Sequence, residues 1–433
     1  MEVKTYQEAL QWIHSRTNLG MKPGLKRMEW LMEKLRHPER YVKVIHVGGT
    51  NGKGSTIAYL RQILQEAEYK VGTFTSPYFE KFNERISING TPISDDDLVK
   101  LTNVIKPLCE ELDESELGGP TEFEVITAMA IYYFARINPV DVALFEVGLG
   151  GRLDSTNVLY PILTIITNIG KDHTNFLGNT YEEIAFEKAG IIKSGVTLIT
   201  GATQPEALKV LEDKAKEKRA SVYLKDREFR ITEHERLPDG ERFSVETIFQ
   251  TLNGLRISMK GRHQTENAAL AVMAAIYLNK LIAFYIEEEH IRNGLAKAAW
   301  PGRFEIVSEY PFVLIDGAHN EEGAAALVDE LKARYSGKKM KVVFAALEDK
   351  NWAGMISRFD EIADEIIFTE FDFPRAAKAE KLAQHSRAKN KKVVPDWKEA
   401  VKEATDGMGA EEMLVVTGSL YFIPEVKKWL RGQ

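Results

Sequence analysis

Between residues 41 and 200, short β-branched and apolar runs alternate with longer stretches whose apolar positions return every three or four residues. The runs at 42–47, 71–74, 140–147, 162–167 and 196–200 predict strands, and the stretches between them predict crossover helices over a parallel sheet. The first helix is the clearest, since Ile57, Leu60, Ile63 and Leu64 share one face of a segment over about 54–67. Residues 222–258 are more charged and turn-rich, with Pro238, Asp239 and Gly240 at a hairpin position, which predicts a small antiparallel patch. A helix over 264–280 carries NAALAVMAAIYL, whose small residues permit close packing. Trp300-Pro301-Gly302-Arg303 interrupts that pattern, and the runs at 313–316, 342–345, 365–369 and 413–417 predict a second, smaller α/β sheet. Arg387, Lys389, Lys391 and Lys392 read as a solvated loop face.

Composition narrows the class of protein. The 433 residues exceed what one core usually serves, and 44% hydrophobic with 28% charged residues is ordinary for a globular chain. A net charge of -7 offers no broad basic surface, so no nucleic-acid partner is expected and any anionic ligand must be met locally. The single cysteine, Cys109, excludes an intrachain disulfide and a Cys-rich metal cluster. No secretory signal opens the chain and no run is long enough to span a bilayer, so a cytoplasmic protein without a membrane partner is expected.

Three segments carry the candidate chemistry. After the first run comes HVGGTNGKGS at 46–55, followed by a helix. Glycines there let the backbone N–H groups of Gly49, Thr50, Asn51, Gly52 and Gly54 turn toward phosphate oxygens, and the helix N-terminus adds partial positive charge. Lys53 would reach the outer phosphates and Ser55 would lie close to them or to their metal. The match to the ordinary phosphate loop is imperfect, because Gly48 is one place short of the usual spacing and Gly54 separates Lys53 from the hydroxyl. Glu146 ends a nearly all-apolar strand, where a carboxylate needs a partner: a magnesium ion bridging ATP phosphates, or an arginine such as Arg152. His173 follows the next strand on the same rim, and Lys188 lies in an apolar helix end, where a snorkelling role is the plain reading.

Taken together, the ordered motifs resemble those of folylpolyglutamate synthases, including the bifunctional dihydrofolate synthases, within the Mur ligase superfamily. They are LGMKPGLKRM (19–28), HVGGTNGKGS (46–55), FTSPYFEKFNERI (74–86), TEFEVITAMA (121–130), FEVGLGGRLDSTNV (145–158), NIGKDHTNFLG (168–178), EKAGIIK (187–193), GRHQTENAALA (261–271), WPGRFE (300–305), DGAHN (316–320) and VTGSLYF (416–422). The resemblance implies an N-terminal P-loop ATPase domain over 1–299, which binds ATP and folate, and a smaller Rossmann-like glutamate-ligase domain over 300–433. It implies an ATP-dependent ligase that activates a folate carboxylate as an acyl phosphate and transfers it to L-glutamate. The motifs leave dihydropteroate open as a second acceptor. By the same resemblance Ser76, Glu146, His173 and a carbamylated Lys188 would hold magnesium, and Asn267, Arg303 and Asp316 would meet ATP. His319 and Ser419 would handle glutamate, and Lys22, Arg27, Phe79 and Arg85 would shape the folate pocket. Two departures stand out: Gly48 where many relatives carry Ala, and Tyr78 where many carry His.

A monomer working on small molecules is expected. Two rivals are weaker. A Mur-type UDP-sugar peptide ligase would place a substrate domain of about a hundred residues before the phosphate loop, whereas 48 residues precede Gly49. A nucleotide-binding module without a ligase step would need neither the metal ligands nor ATP contacts from the second domain.

Overall fold

The computed structural model describes residues 2–20 and 22–432; Met1, Met21 of the 19–28 motif and Gln433 lie outside the described residues. Eight strands form the first sheet: β1 (Val44–Gly48), β2 (Val71–Phe74), β3 (Ile86–Ile88), β4 (Thr91–Pro92), β5 (Val142–Glu146), β6 (Leu163–Ile166), β7 (Leu198–Thr200) and β8 (Val222–Leu224). Their order is β4-β3-β2-β5-β1-β6-β7-β8. All neighbours are parallel except the β2–β3–β4 edge ribbon. Every residue of β1, β2, β5 and β6 is buried, which is why these strands read as unbroken apolar runs rather than alternations. Register pairs Val47 with Glu146 and Gly48 with Ile166, so the loops that leave β1, β5 and β6 share one rim.

The helix Lys53–Glu66 buries Ile57, Leu60, Ile63 and Leu64, as its periodicity predicts, against the helices Arg262–Leu281 and Glu288–Lys297. Burying each of those side chains contributes about 1.5–3 kcal/mol. Close approach is possible because Gly294 faces the Ile63 backbone, where a Cβ would stand 2.5 Å from its Cα.

The antiparallel patch is β9 (Phe229–Leu237), β10 (Gly240–Thr247) and β11 (Thr251–Ile257), with its turn at Pro238 and Asp239. Residues 222–224 do not belong to it; they pair in parallel with β7 and extend the main sheet.

Beyond residue 304 a second sheet contains β12 (Glu305–Glu309), β13 (Phe312–Asp316), β14 (Lys339–Phe344), β15 (Glu365–Glu370), β16 (Lys391–Asp396) and β17 (Glu412–Thr417), in the order β12-β13-β17-β14-β15-β16. Only β12 is antiparallel to its neighbour. The outer strands β12 and β16 escape the hydrophobic pattern, since an edge strand pairs on one side only and is largely solvated. The loop reading of the basic cluster is corrected here: Lys391 and Lys392 lie in β16. Lys391 Nζ donates to the carbonyls of Ser386 and Ala383 at 2.7 and 3.1 Å, and Lys392 Nζ sits 2.6 Å from Glu403 and 2.8 Å from Glu365.

Several contacts join the sheets' territories, two of them away from the phosphate loop's polar rim. Trp300, in the linker, lies flat against Gly54, where a Cβ would stand 2.9 Å from the indole. The glycine that departs from the ordinary phosphate loop is the one this indole requires. On the far side, Arg334 of the helix Glu321–Tyr335 donates to the Leu237 carbonyl at 2.6 Å and the Gly240 carbonyl at 3.1 Å, and pairs with fully buried Glu241. Glu241 also accepts the Gly261 N–H at 2.7 Å and His234 Nε2–H at 2.8 Å. Arg334→Ala would leave that carboxylate short of its cation. We expect a loss of about 3 kcal/mol, read as a lower urea midpoint; an unchanged midpoint would refute the clamp.

Candidate active site

A cleft of about 510 Å³ opens where the shared rim of the first sheet faces the second sheet, lined from one side by the 49–55 loop, Ser76, Glu146, His173 and Lys188 and from the other by Arg303 and His319. The loop's shape is fixed by its glycines. Gly49 (φ 140°) and Gly52 (φ 82°) are left-handed, and a Cβ on either would overlap Thr167 Oγ1 or Asn267 Oδ1 respectively. Asn168 anchors the turn, its Oδ1 accepting the N–H groups of Thr50 at 3.2 Å and Asn51 at 2.8 Å. Lys53 Nζ folds back onto the carbonyls of Gly49 and Thr50, both at 3.2 Å, and stands 4.0 Å from Glu146 Oε1.

Glu146 is 5% exposed, and burial raises its carboxyl above the usual range, with Lys53 opposing. One oxygen accepts the Ser76 N–H at 3.1 Å. Arg152 does not serve it; that guanidinium pairs with Glu187 at 2.8 Å. Lys188 is 3% exposed and donates to the Gly49 carbonyl at 3.0 Å. Burial, aided by the Lys53 charge, brings its amine down to about 7, so a large neutral fraction exists at neutral pH. The snorkelling reading fails because the side chain is buried at the cleft wall and its ammonium is spent on a backbone carbonyl rather than reaching the outer surface. His173 is likewise held below its ordinary value by burial, which keeps its imidazole neutral and able to act as a ligand.

These groups fit a magnesium ion. Among the described residues no three His, Cys, Asp or Glu side chains converge, but this ion needs only one or two protein oxygens beside phosphate oxygens and water. Glu146 Oε1, without a hydrogen-bond donor in contact, is the oxygen on offer, with Ser76 and His173 flanking it.

The second domain contributes Arg303, His319 and a bridge absent from the sequence reading. Asp172 sits 2.6 Å from Lys350 Nζ and accepts from Asn320 Nδ2 at 3.2 Å, while Asn320 Nδ2 also reaches Asn51 Oδ1 at 2.9 Å. Burial raises the Asp172 carboxyl, but adjoining charge outweighs it and holds the group well below the carboxylate range. Lys350 is the cation responsible at neutral pH, because burial keeps His319 down at about 4. Asp172 lies within the 168–178 motif, beside the histidine that drew attention; Lys350 had no motif to mark it.

Other expected residues stand behind the wall. Asp316 accepts the N–H groups of Phe304 and Ala318, both at 2.8 Å, so it pins the turn that presents Arg303. Asn267 packs on Gly52. Phe79 and Tyr78 line the cleft, and half-buried Arg85 lies 5.2 Å from the Tyr78 ring centre and 3.6 Å from Glu122. Arg27 clasps buried Glu124 at 2.9 Å, Lys22 donates to the Gly119 carbonyl at 3.3 Å, and Ser419 Oγ accepts the Tyr421 N–H at 3.1 Å. The structure does not bring these last three side chains into the cleft lining.

Both halves of the chain have counterparts among known proteins. Residues 47–275 match the Mur ligase middle domain, and residues 302–420 match the Mur ligase glutamate ligase domain. The chain is 51% identical over 426 residues to the dihydrofolate synthase/folylpolyglutamate synthase of Bacillus subtilis (strain 168), covering 98% of this chain and 99% of that protein. Among solved structures, Mycobacterium tuberculosis folylpolyglutamate synthase complexed with ADP and AMPPCP superposes with a TM-score of 0.91 at 30% identity, covering 99% of both chains. Escherichia coli FolC in complex with DHPP and ADP gives 0.87 at 31% identity, covering 98% of both.

Gly52→Ala tests the loop geometry. The added methyl meets Asn267 on a left-handed backbone, so affinity for a non-hydrolysable ATP analogue should fall about tenfold or more while the thermal midpoint changes little. Retained affinity in a titration would contradict that geometry.

Proposed function

The chain belongs to the Mur ligase family, in its dihydrofolate synthase/folylpolyglutamate synthase branch, and from that premise we propose how its cleft performs the reaction. The enzyme is an ATP-dependent ligase that adds L-glutamate to folate. We assign dihydropteroate as a second acceptor, on the strength of the bifunctional names among its relatives.

The reading rests on one observation above all: Lys53, Glu146 and Lys188 from the first domain meet Arg303 and His319 from the second across a single cleft. A free carboxylate is a poor acyl donor. Transfer of the ATP γ-phosphoryl to one of its oxygens gives an acyl phosphate and ADP, after which the glutamate amine attacks the acyl carbon, phosphate leaves and the nitrogen loses a proton. The loop N–H groups and Lys53 receive phosphate oxygens and offset the charge of the transferring group. Magnesium, when bound through Ser76, Glu146, His173 and a carbamylated Lys188, supplies further neutralisation of the phosphates. A neutral amine is the form that captures carbon dioxide, and the low basicity of Lys188 supports the carbamate. Arg303 would approach the phosphates from the opposite lobe, with Asn267 and Asp316 supporting the nucleotide pocket. His319, neutral at working pH and with Nδ1 on the Gly317 carbonyl, presents Nε2 as a hydrogen-bond acceptor that would orient the incoming amine. Phe79 and Tyr78 offer an apolar wall for the pteridine side; Arg85, Arg27, Lys22 and Ser419 act by holding the segments behind it.

We take the domains to divide at 299/300, beside Trp300 of the linker. No helix among the described residues is long and apolar enough to cross a membrane. We further assign a cytoplasmic monomer that acts without nucleic acid, in keeping with the net charge of -7.

Phosphate release should require ATP, L-glutamate and a pteroyl acceptor together, and ¹⁸O in the acceptor carboxylate should appear in the phosphate. Release that ignores glutamate would sink the ligase reading in favour of a nucleotide switch. Lys188→Ala should lose activity by about 10²–10³-fold, with partial recovery in acetate or formate; no recovery, together with unmodified lysine in the intact enzyme, would reject the carbamate.

A further inference from the structure

Asp172 and His173 lie in the loop that leaves β6, and Lys350 reaches them from the second domain, from the segment between β14 and the helix Trp352–Phe359. His173 has a left-handed backbone (φ 52°), a conformation uncommon outside glycine that persists where its surroundings impose it. The imposing group is Asp172, whose Oδ1 accepts the His173 N–H at 2.8 Å and so closes the turn. The same oxygen accepts Lys350 Nζ at 2.6 Å, and Oδ2 accepts Asn320 Nδ2 at 3.2 Å. Both of those donors belong to the second domain. The Lys350 and Asp172 side chains are 6% and 8% exposed, so neither can fall back on water when the other is removed. Lys350 Nζ also stands 3.5 Å from His173 Nε2, but Asp172 balances its charge at the shorter distance.

We infer that Lys350 is a positioning residue for the magnesium site: by fixing Asp172 it holds the turn that carries His173, so the second lobe completes that site without touching the ion. The inference rests on the assignment of His173 to the metal in the proposed function, and it goes beyond that reading by adding a residue of the other lobe. When the lobes part, Asp172 loses both donors from the second domain and the His173 turn loses its anchor. The metal–nucleotide complex is then gripped fully only by the closed enzyme. Groups that stand behind a metal ligand and set its orientation change metal affinity by about 10–100-fold.

The test titrates Mn²⁺, standing in for magnesium, into complexes with a non-hydrolysable ATP analogue and follows the electron paramagnetic resonance signal of the free ion. Parent, Lys350→Met, Lys350→Arg, His173→Ala and the double variant Lys350→Met/His173→Ala are compared, and affinity for the analogue alone is measured in EDTA. His173→Ala should weaken Mn²⁺ binding about tenfold or more and Lys350→Met by a similar factor, with part of the loss restored in Lys350→Arg. In the His173→Ala background Lys350→Met should cost nothing further, because its effect passes through that ring. Affinity for the metal-free analogue should change by less than about twofold. Unchanged or increased Mn²⁺ affinity in Lys350→Met would overturn the assignment, as would a full additional loss on top of His173→Ala. Equal losses with and without metal would overturn it by assigning Lys350 to the nucleotide. Should Lys350→Met fail to fold, Lys350→Met/Asp172→Asn, which removes both charges, takes its place; it should show the same loss, and a folded neutral pair with the parent's affinity would overturn the assignment. Mn²⁺ affinity untouched by His173→Ala would instead remove the metal reading of His173 itself.

Discussion

Charge is buried in this cleft before its ligands arrive. Glu146 and Lys188 are buried and Lys53 and Arg303 half-buried at the cleft wall, and among the described residues none of them has a close ionic partner: the nearest such pair, Lys53 and Glu146, is 4.0 Å apart. Removing charges from water without compensation is expensive, and the result is visible in a carboxyl pushed up and an amine brought down to about 7. A triphosphate with its cation supplies the missing compensation. Binding and electrostatic completion are therefore the same event, which suits a reaction whose catalysis is mostly charge neutralisation and alignment.

That arrangement depends on two lobes meeting in a defined way. On the cleft side, Asn51 of the phosphate loop meets Asn320, and Asn320 meets Asp172, which Lys350 neutralises at 2.6 Å. On the far side, Arg334 grips the turn between β9 and β10 and the buried Glu241, which in turn caps the start of the helix carrying Asn267. The linker lies between them, with Trp300 seated on Gly54. The phosphate loop, the helix Arg262–Leu281 and the second domain are thus tied together through a few polar contacts, an arrangement that permits relative motion of the lobes.

Much was legible in the linear pattern, for a physical reason. Strands buried on both faces cannot be polar, so β1, β2, β5 and β6 announce themselves as apolar runs, and the helix Lys53–Glu66 declares its buried face at steps of three and four. Edge strands do not, which is why β12 and β16 went unread and why two lysines of β16 looked like loop. In the cleft, Glu146 was conspicuous because a carboxylate among apolar residues needs a reason. Lys350 was not, since a lysine near a turn is ordinary until its surroundings are known.

The sequence by itself determined the element types, the glycine-built phosphate loop and the family, because these rest on local sterics and on motifs of fixed spacing. Only the tertiary structure decided partners: that Arg152 serves Glu187 rather than Glu146, that Arg27 clasps Glu124 at the back of the wall, and that Asp172 is neutralised from the other lobe. Partnership and burial depend on residues far apart in the chain, and the energy of a charge depends on both.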